Sequence, residues 1–387
     1  MLDRPAPPLS PRWRTLALAS LALILIAVVR NALTPWGMDF ISFWAASKLA
    51  LAGNLPGAYD IALHRSMEEQ AAVMTGQMPF PYPPPMFFLI WPLGALPYPW
   101  AAALWIGASV LGYVWAVRRM MPGFEAMALA LPAVMLCGMV GQNGLLTAAL
   151  LIAGLGLIGQ RPFVAGLLFG CLAVKPQIAV LIPLALIAGR EWKAFAGAAL
   201  SAVTLSLASL AAFGWPAWQG FFDILPFYGQ ITAGGHVGWY KIATVFAGLR
   251  MVGVPATGAA FIHGLVALAA VWIVWRIWRS EADQLTRAAA LVTATMLTSP
   301  YMYLYDQPML VVGLAWAVLR GAEPRLLALL YAASLLSFVQ MLTEFPLLNL
   351  MAVMPLGLLV LLYRDSGEIA RLMQVVHMVR IKASHAK

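Results

Sequence analysis

Charged side chains are scarce in this sequence. Only 10% of the 387 residues are Asp, Glu, Lys or Arg, whereas 62% are hydrophobic; soluble domains carry roughly 25% charged and about 45 to 50% apolar residues. A water-facing surface needs more charge than this, so soluble enzymes, nucleic-acid-binding domains and disordered chains are excluded. The composition predicts an all-α polytopic membrane protein, one membrane domain over residues 1–387 in contact with lipids.

Cysteine and metal-binding motifs are also rare. The two cysteines, Cys137 and Cys171, lie in apolar stretches without CxxC spacing, so they predict neither a disulfide nor a metal site. No H-x-x-x-H or H-E-x-x-H motif occurs, and zinc is not expected. We predict no cofactor and no metal site, with a divalent cation left as an open alternative.

Long apolar runs predict about twelve transmembrane spans, with both termini in the cytoplasm of a bacterial-type inner membrane. Residues 85–117 make either two spans or one kinked span. Residues 162–189 make either one span or two short segments that turn at Lys175-Pro176. We prefer the second alternative in both places because it leaves more basic residues inside. Residues 364–387 are predicted as a basic cytoplasmic tail.

Two longer segments are predicted to face outward: residues 34–84, the first extracytoplasmic loop, and residues 214–255, the second. Within the first, the spacing predicts a helix that lies in the membrane interface. Its apolar face is predicted to carry Leu63, Met67, Ala71 and Met74.

Acidic residues in this first loop are few enough to consider singly. Asp60 precedes a helix and is predicted to cap it, and Glu68 and Glu69 are predicted to be solvated. Asp39 is different, because Trp36 and Phe40 belong to an aromatic cluster around it. An apolar setting raises a carboxylate's pKa and makes it a better base. The residues leave two alternatives open: Asp39 abstracts a proton, or it caps the helix that follows.

Several short motifs occur in an order that one known family shares. They are G-M-D-F-I-S-F-W-A-A at 37–46, Y-P-P-P at 82–85, P-L-G-A-L-P at 92–97, G-Q-N-G at 141–144, A-G-L-L-F-G-C-L-A-V-K-P-Q at 165–177 and S-P-Y-M-Y-L-Y-D-Q at 299–307. Together they resemble glycosyltransferase family 87, polyprenol-phosphate-mannose-dependent, α-mannosyltransferase-like membrane proteins of the GT-C superfamily. The resemblance covers about residues 30–320.

This resemblance implies a GT-C fold with two interfacial helices in the first extracytoplasmic loop. It also implies transfer of a sugar from a polyprenyl-phosphate donor to a lipid or glycan acceptor on the extracytoplasmic face. Mannose is the sugar that this family commonly uses. The acid that these enzymes are proposed to use as catalytic base matches Asp39, which would act by an inverting displacement. The chain has no D-x-D motif, which fits a monophosphate donor.

Other candidates follow from the same resemblance. Lys175 is expected to bind the donor phosphate, because a lysine in an apolar run needs a partner or water; the alternative is a snorkelling lysine. In the second loop, His236 and Lys241 are expected to contact donor phosphate or sugar.

Acceptor-binding or supporting roles are expected of Asp306 and Tyr305, and of the amides Gln142, Asn143 and Gln177. Asp306 would orient Lys175, bind acceptor hydroxyls or cap a helix. Family members carry Trp-Asp-His or Tyr-Asp here, and this chain lacks the histidine, so no histidine-based role carries over. The amides would equally form hydrogen bonds between helices.

Two competing hypotheses belong to other classes. A multi-span transporter or lipid flippase also has many spans with both termini inside, but no internal repeat relates the two halves of this chain. A non-catalytic partner in envelope polymer assembly would keep the fold and lose the activity.

Overall fold

The computed structural model describes residues 11–73, 76, 78–343 and 349–367. Over these residues the chain is helical and forms no β-strand; the isolated bridges Trp36–Val73 and Ile242–Tyr303 are its extended pairings. The α-helices are α1 Pro11–Leu33, α2 Phe40–Leu51, α3 Ile61–Glu68, α4 Phe87–Ile90, α5 Tyr98–Met120, α6 Glu125–Leu129, α7 Pro132–Val140, α8 Gly144–Leu157, α9 Pro162–Gly170, α10 Pro176–Ala179, α11 Ile182–Ala188, α12 Trp192–Ala233, α13 Val245–Met251, α14 Ala256–Arg279, α15 Gln284–Thr298, α16 Val311–Leu319, α17 Pro324–Thr343 and α18 Val353–Asp365.

Short 3₁₀ turns connect several of these helices. They are Leu55–Tyr59, Pro84–Met86, Trp91–Ala95, Cys171–Val174, Trp239–Lys241 and Leu304–Leu310. The predicted all-helical fold class is therefore confirmed. Of the predicted tail 364–387, residues 368–387 lie outside the described residues.

Five described helices, α1, α5, α12, α14 and α17, are long and apolar enough to cross a membrane. They leave large apolar side chains uncovered: on α1, Leu18 is 68% exposed and Leu25 is 62% exposed. Water would make such exposure unfavourable, at roughly 25 cal/mol for each Å² of apolar surface, whereas lipid does not. The structure thus supports a membrane protein.

Residues 85–117 differ from the single kinked span that we preferred. Leu96 is extended, with ψ 150°, because the residue before a proline avoids the helical region and Pro97 follows it. The chain before this break forms short turns that pack on α2, where Trp44 Nε1 donates to the Leu96 carbonyl at 3.0 Å. Only after the break does α5 run as one uninterrupted 23-residue helix.

Residues 162–189 form the predicted turn at Lys175. A Cβ on Gly166 would lie 2.1 Å from the carbonyl oxygen of Ala194, so the start of α12 lies beside α9. The chain has therefore reversed direction between them, at Lys175, which leaves helical geometry at φ −147° and ψ 74°. Each arm of this hairpin has about 13 residues and spans only about 20 Å of the roughly 30 Å hydrocarbon core.

The predicted second outer loop, 214–255, begins as a helix rather than a loop. α12 kinks at Gly214, whose φ of 76° and ψ of 170° are outside the helical region. A positive φ is accessible to glycine at little cost, and helix resumes after it as far as Ala233. Irregular chain is confined to residues flanking the 3₁₀ turn at Trp239–Lys241 and the short helix α13.

Residues 34–84, predicted as the first outer loop, contain two helices as expected, α2 and α3, but the predicted face of α3 is wrong. Leu63 is 36% exposed, whereas His64 and Glu68 are 2% and 0% exposed. Their side chains meet at 3.4 Å, so Glu68 is buried rather than solvated. His64 and Glu68 thus lie together in the interior, where the pattern placed an apolar contact.

The start of α3 confirms the predicted cap, but the end of the helix comes earlier than predicted. Asp60 accepts from the Leu63 N–H at 2.8 Å, so the predicted cap is confirmed. Glu69 is exposed as predicted, in an ion pair with Arg65 at 2.8 Å. The helix stops at Glu68, earlier than predicted, and Met74 lies outside the described residues.

Candidate active site

Asp39 lies immediately before α2, where the sequence allowed either a cap or a base. Its side chain makes no capping hydrogen bond to the helix. Instead, Oδ2 accepts from Nε2 of Gln142 at 3.1 Å, across 103 positions of sequence. The next residue, Phe40, packs against the rings of Tyr98 and Trp105 at 6.1 Å, so the carboxylate stands at the edge of an aromatic cluster.

Burial raises the pKa of Asp39 above its ordinary value, while the hydrogen bond from Gln142 and the positive charge of Lys241 oppose that rise. Desolvation is the larger effect because a charged carboxylate loses water when the protein surrounds it. This is the electrostatic setting of a carboxylate that takes up a proton more readily than one in water.

The G-Q-N-G motif connects α7 to α8 and fits between two segments of the site. Gly141 has φ +71°, and a Cβ there would lie 2.6 Å from Phe40 Cβ. A Cβ on Gly144 would lie 1.7 Å from the carbonyl oxygen of Tyr305. Both positions exclude a side chain, and the glycines therefore let the turn reach Asp39 on one side and Asp306 on the other.

Helix α5 holds this arrangement in place through two side-chain hydrogen bonds. Trp105 Nε1 donates to the Gly141 carbonyl at 2.9 Å. Two turns further along, the Tyr113 hydroxyl donates to the Pro308 carbonyl at 2.9 Å. One helix thereby holds both the G-Q-N-G turn and the segment that carries Asp306.

Lys175 sits at the tip of its hairpin, only 3% exposed, in an ion pair with Asp306, which is fully buried. Its Nζ also donates to Asn143 Oδ1 at 3.0 Å and lies 5.3 Å from the Tyr305 ring centroid. The other Asp306 oxygen accepts from the Tyr303 N–H at 3.1 Å. Asp306 therefore both orients Lys175 and caps a helical turn.

Three tyrosines that were not singled out from the sequence complete the cluster. The hydroxyl of Tyr82 donates to Gln142 Oε1 at 3.2 Å, and Tyr303 stacks on Tyr305 with centroids 5.0 Å apart. The hydroxyls of Tyr228 and Tyr303 lie 3.0 Å apart. Tyr82 and Tyr303 belong to quoted motifs, so the signal was present; Tyr228, on α12, had none.

The segment 214–255, predicted as the second outer loop, reaches the site through its main chain. Ile242 bridges to Tyr303, and Asn349 Nδ2 donates to the carbonyls of Trp239 and Ile242 at 2.9 and 2.7 Å. This anchoring brings Lys241, half-buried, close enough for its charge to act on Asp39. His236 is exposed, and within the described residues it makes no hydrogen bond or ion pair with Asp39.

The remaining predicted residue, Gln177, is half-buried two positions after Lys175. Its side chain makes no hydrogen bond within the part of the chain that the structure describes. The structure joins six of the sequence candidates into one set: Asp39, Gln142, Asn143, Lys175, Tyr305 and Asp306. His236 and Gln177 lie outside this set. Among the described residues, no group of three or more His, Cys, Asp or Glu side chains is placed to hold a metal ion.

Of the comparisons with known proteins, the one with protein families finds a match. Comparison with curated proteins and with solved structures returns no significant match. A sequence model of Glycosyltransferase family 87 matches residues 80–300, more than half of the chain. The matched region contains Tyr82, Gln142, Asn143 and Lys175, and Asp39 and Asp306 lie on either side of it. This chain belongs to glycosyltransferase family 87.

Proposed function

We propose that this glycosyltransferase transfers a hexose, mannose in the first instance, from a polyprenyl-phosphate donor to a lipid or glycan acceptor at the extracytoplasmic face. The observation that carries the proposal is Asp39: a half-buried carboxylate beside aromatic rings, unused as a helix cap and held by Gln142. A membrane-embedded donor suits the chain because a lipid-linked sugar arrives from the bilayer.

The proposed chemistry is an inverting displacement. Asp39 takes the proton from an acceptor hydroxyl, the oxygen attacks the anomeric carbon, and the carbon–oxygen bond to polyprenyl phosphate breaks on the opposite face. The product glycoside, polyprenyl phosphate and the protonated carboxyl together account for all atoms and charge. A base of this kind contributes roughly 10²- to 10⁴-fold to a rate.

The leaving phosphate gains negative charge and needs cationic or hydrogen-bonding partners. We propose Lys241, whose charge already acts near Asp39, as the main cation for the donor phosphate, with His236 as a second contact from the same loop. Lys175 is engaged by buried Asp306 and by Asn143. Lys175 therefore contributes by holding Asn143 and the donor side of the site in place. Gln177 and Tyr305 are the neighbours of Lys175.

For the architecture, we propose a GT-C arrangement of about twelve spans with both termini in the cytoplasm of a bacterial-type inner membrane. Five long helices and several shorter apolar ones, such as Gly144–Leu157 and Leu304–Leu319, are available to build it. The proposal requires no cofactor, and a divalent cation is not part of the proposed step. A transporter or flippase is less favoured because the chain belongs to a glycosyltransferase family.

Replacement of Asp39 tests the function. Asp39→Asn keeps the size of the side chain and a polar partner for Gln142, but it removes the base. In proteoliposomes given polyprenyl-phosphate mannose and a membrane-extract acceptor, we expect mannose transfer to fall by about 10²- to 10⁴-fold, with unchanged elution on size exclusion.

The matched control is Glu69→Gln, which neutralises an exposed carboxylate of the same loop and should leave transfer intact. Full activity of Asp39→Asn would refute the base. Inactivity of the wild-type protein with mannose, glucose, galactose and arabinose donors alike would favour a non-catalytic partner.

A further inference from the structure

The side-chain amide of Gln142 has one permitted orientation. Its Oε1 receives two donors, the Tyr82 hydroxyl at 3.2 Å and the Asn143 N–H at 3.3 Å, while Nε2 faces the Asp39 carboxylate. A flipped amide would turn its NH₂ toward the Asn143 N–H and its oxygen toward a carboxylate. Both contacts are repulsive, so the network itself decides the orientation.

Tyr82, one of the two donors to Gln142 Oε1, is itself held firmly in place. Its ring lies between Phe43 and Phe80, with centroid distances of 5.1 and 5.3 Å. Its main-chain carbonyl accepts from the hydroxyl of Tyr59 at 2.9 Å. The hydroxyl that meets Gln142 is therefore fixed from the first outer loop, independently of α7 and α8.

The neighbouring amide connects this network to the buried ion pair. Asn143 donates its N–H to Gln142 Oε1, and its own Oδ1 accepts from Lys175 Nζ. Two adjacent residues of one glycine-bounded turn thus contact Asp39 and the Lys175–Asp306 pair.

We propose that Gln142 is a positioning residue that holds Oδ2 of Asp39 and leaves Oδ1 to take the acceptor proton, and that Tyr82 acts through Gln142 by donating to Oε1 and so fixing the position of the amide. The inference rests on the proposed function of Asp39. A merely structural amide between helices is the competing explanation, and it predicts loss of stability without a change in the titration of the base.

The pH dependence of transfer distinguishes these explanations. The titratable groups around Asp39 are Lys241 from the second outer loop and the tyrosines Tyr82, Tyr98, Tyr228 and Tyr303. Loss of the hydrogen bond from Gln142 destabilises the ionised carboxylate, so its pKa rises. Because the base must be ionised, the acidic limb of the kcat/KM profile then moves to higher pH.

Gln142→Met removes the donor and keeps the length of the side chain. We expect the acidic limb to move upward by about one pH unit and kcat to fall about 10-fold or more, with the KM for the donor changed less than about threefold. Gln142→Glu places a second carboxylate against Asp39 and should move the limb further in the same direction. Tyr82→Phe should give a smaller upward shift because Gln142 loses one of the two donors to its Oε1 and holds Asp39 less firmly.

Tyr301→Phe, at a ring that is 37% exposed, is the matched control and should leave the profile unchanged. An acidic limb that stays in place in folded Gln142→Met and in Tyr82→Phe would overturn the positioning role while Asp39→Asn remains inactive. A fully active Asp39→Asn variant would instead overturn the base itself. If Gln142→Met does not fold, Tyr82→Phe decides the question alone.

Discussion

Breaking the buried Lys175–Asp306 pair should destabilise the protein strongly, and restoring neutrality should recover most of the loss. In Lys175→Met, Asp306 keeps one hydrogen bond, from the Tyr303 N–H, and Asn143 Oδ1 loses its lysine donor. Asp306 has no exposure to solvent, so its charge cannot be hydrated without rearrangement.

The magnitude follows from that burial. Removal of one partner of a buried ion pair costs about 3 to 5 kcal/mol. At roughly 2 °C per kcal/mol for a chain of this size, the apparent melting temperature should fall by about 5 to 10 °C. In Lys175→Met/Asp306→Leu the stranded charge is gone, and two hydrogen bonds, worth about 1 kcal/mol each, are lost at the Tyr303 N–H and at Asn143 Oδ1. The double variant should therefore melt within about 4 °C of wild type.

The assay is the fraction of protein that elutes as a monodisperse peak from detergent after heating, measured for the wild type, both single variants and the double variant. Because membrane proteins commonly unfold irreversibly, the order of the four midpoints is the informative result. Lys48→Met is the matched control, since Lys48 is a half-buried lysine over the Trp44 ring at 5.3 Å, and it should change little. A double variant less stable than Lys175→Met would refute the account of a compensated charge.

Two further predictions concern close packing and the first outer loop. Gly144→Ala should abolish sugar transfer and lower expression of folded protein, because its methyl group would lie 1.7 Å from the Tyr305 carbonyl oxygen; Gly107→Ala, with open space around it, should be tolerated in the same transfer assay. His64→Leu leaves buried Glu68 without its partner and should destabilise by about 3 kcal/mol. His64→Leu/Glu68→Leu should recover much of that loss in the heating assay, and an unchanged midpoint for His64→Leu would contradict the pairing.

Much of the fold was predictable from the sequence because hydrophobic runs and prolines act locally. The turn at Lys175-Pro176 and the cap at Asp60 are of this kind. The buried face of α3 was not predictable, since an amphipathic pattern counts His64 and Glu68 as polar and gives no sign that they lie together in the interior. The helix that resumes after Gly214 and runs to Ala233 was also missed, since the segment was predicted as a loop.

The candidate site was only partly predictable. Asp39 was identified from its aromatic neighbours, and Asp306 was considered as a partner that orients Lys175. The hydrogen bond from Gln142 to Asp39 joins residues 103 positions apart, and the pair of Lys175 with Asp306 joins residues 131 positions apart. Contacts between residues so far apart in the sequence are set by how helices pack, and Tyr228 likewise reaches the cluster through packing alone.

The helices that end at the site are too short to cross the hydrocarbon core of a membrane. α8, with 14 residues, rises about 21 Å, and each arm of the Lys175 hairpin rises about 20 Å, so both end roughly 10 Å short of a 30 Å hydrocarbon core. Irregular backbone at that depth is tolerated where protein buries it or where it lines a water-filled cavity, and Lys175 and Asp306 are only 3% and 0% exposed. The charge at the end of the short hairpin is therefore compensated by Asp306 inside the protein rather than by water.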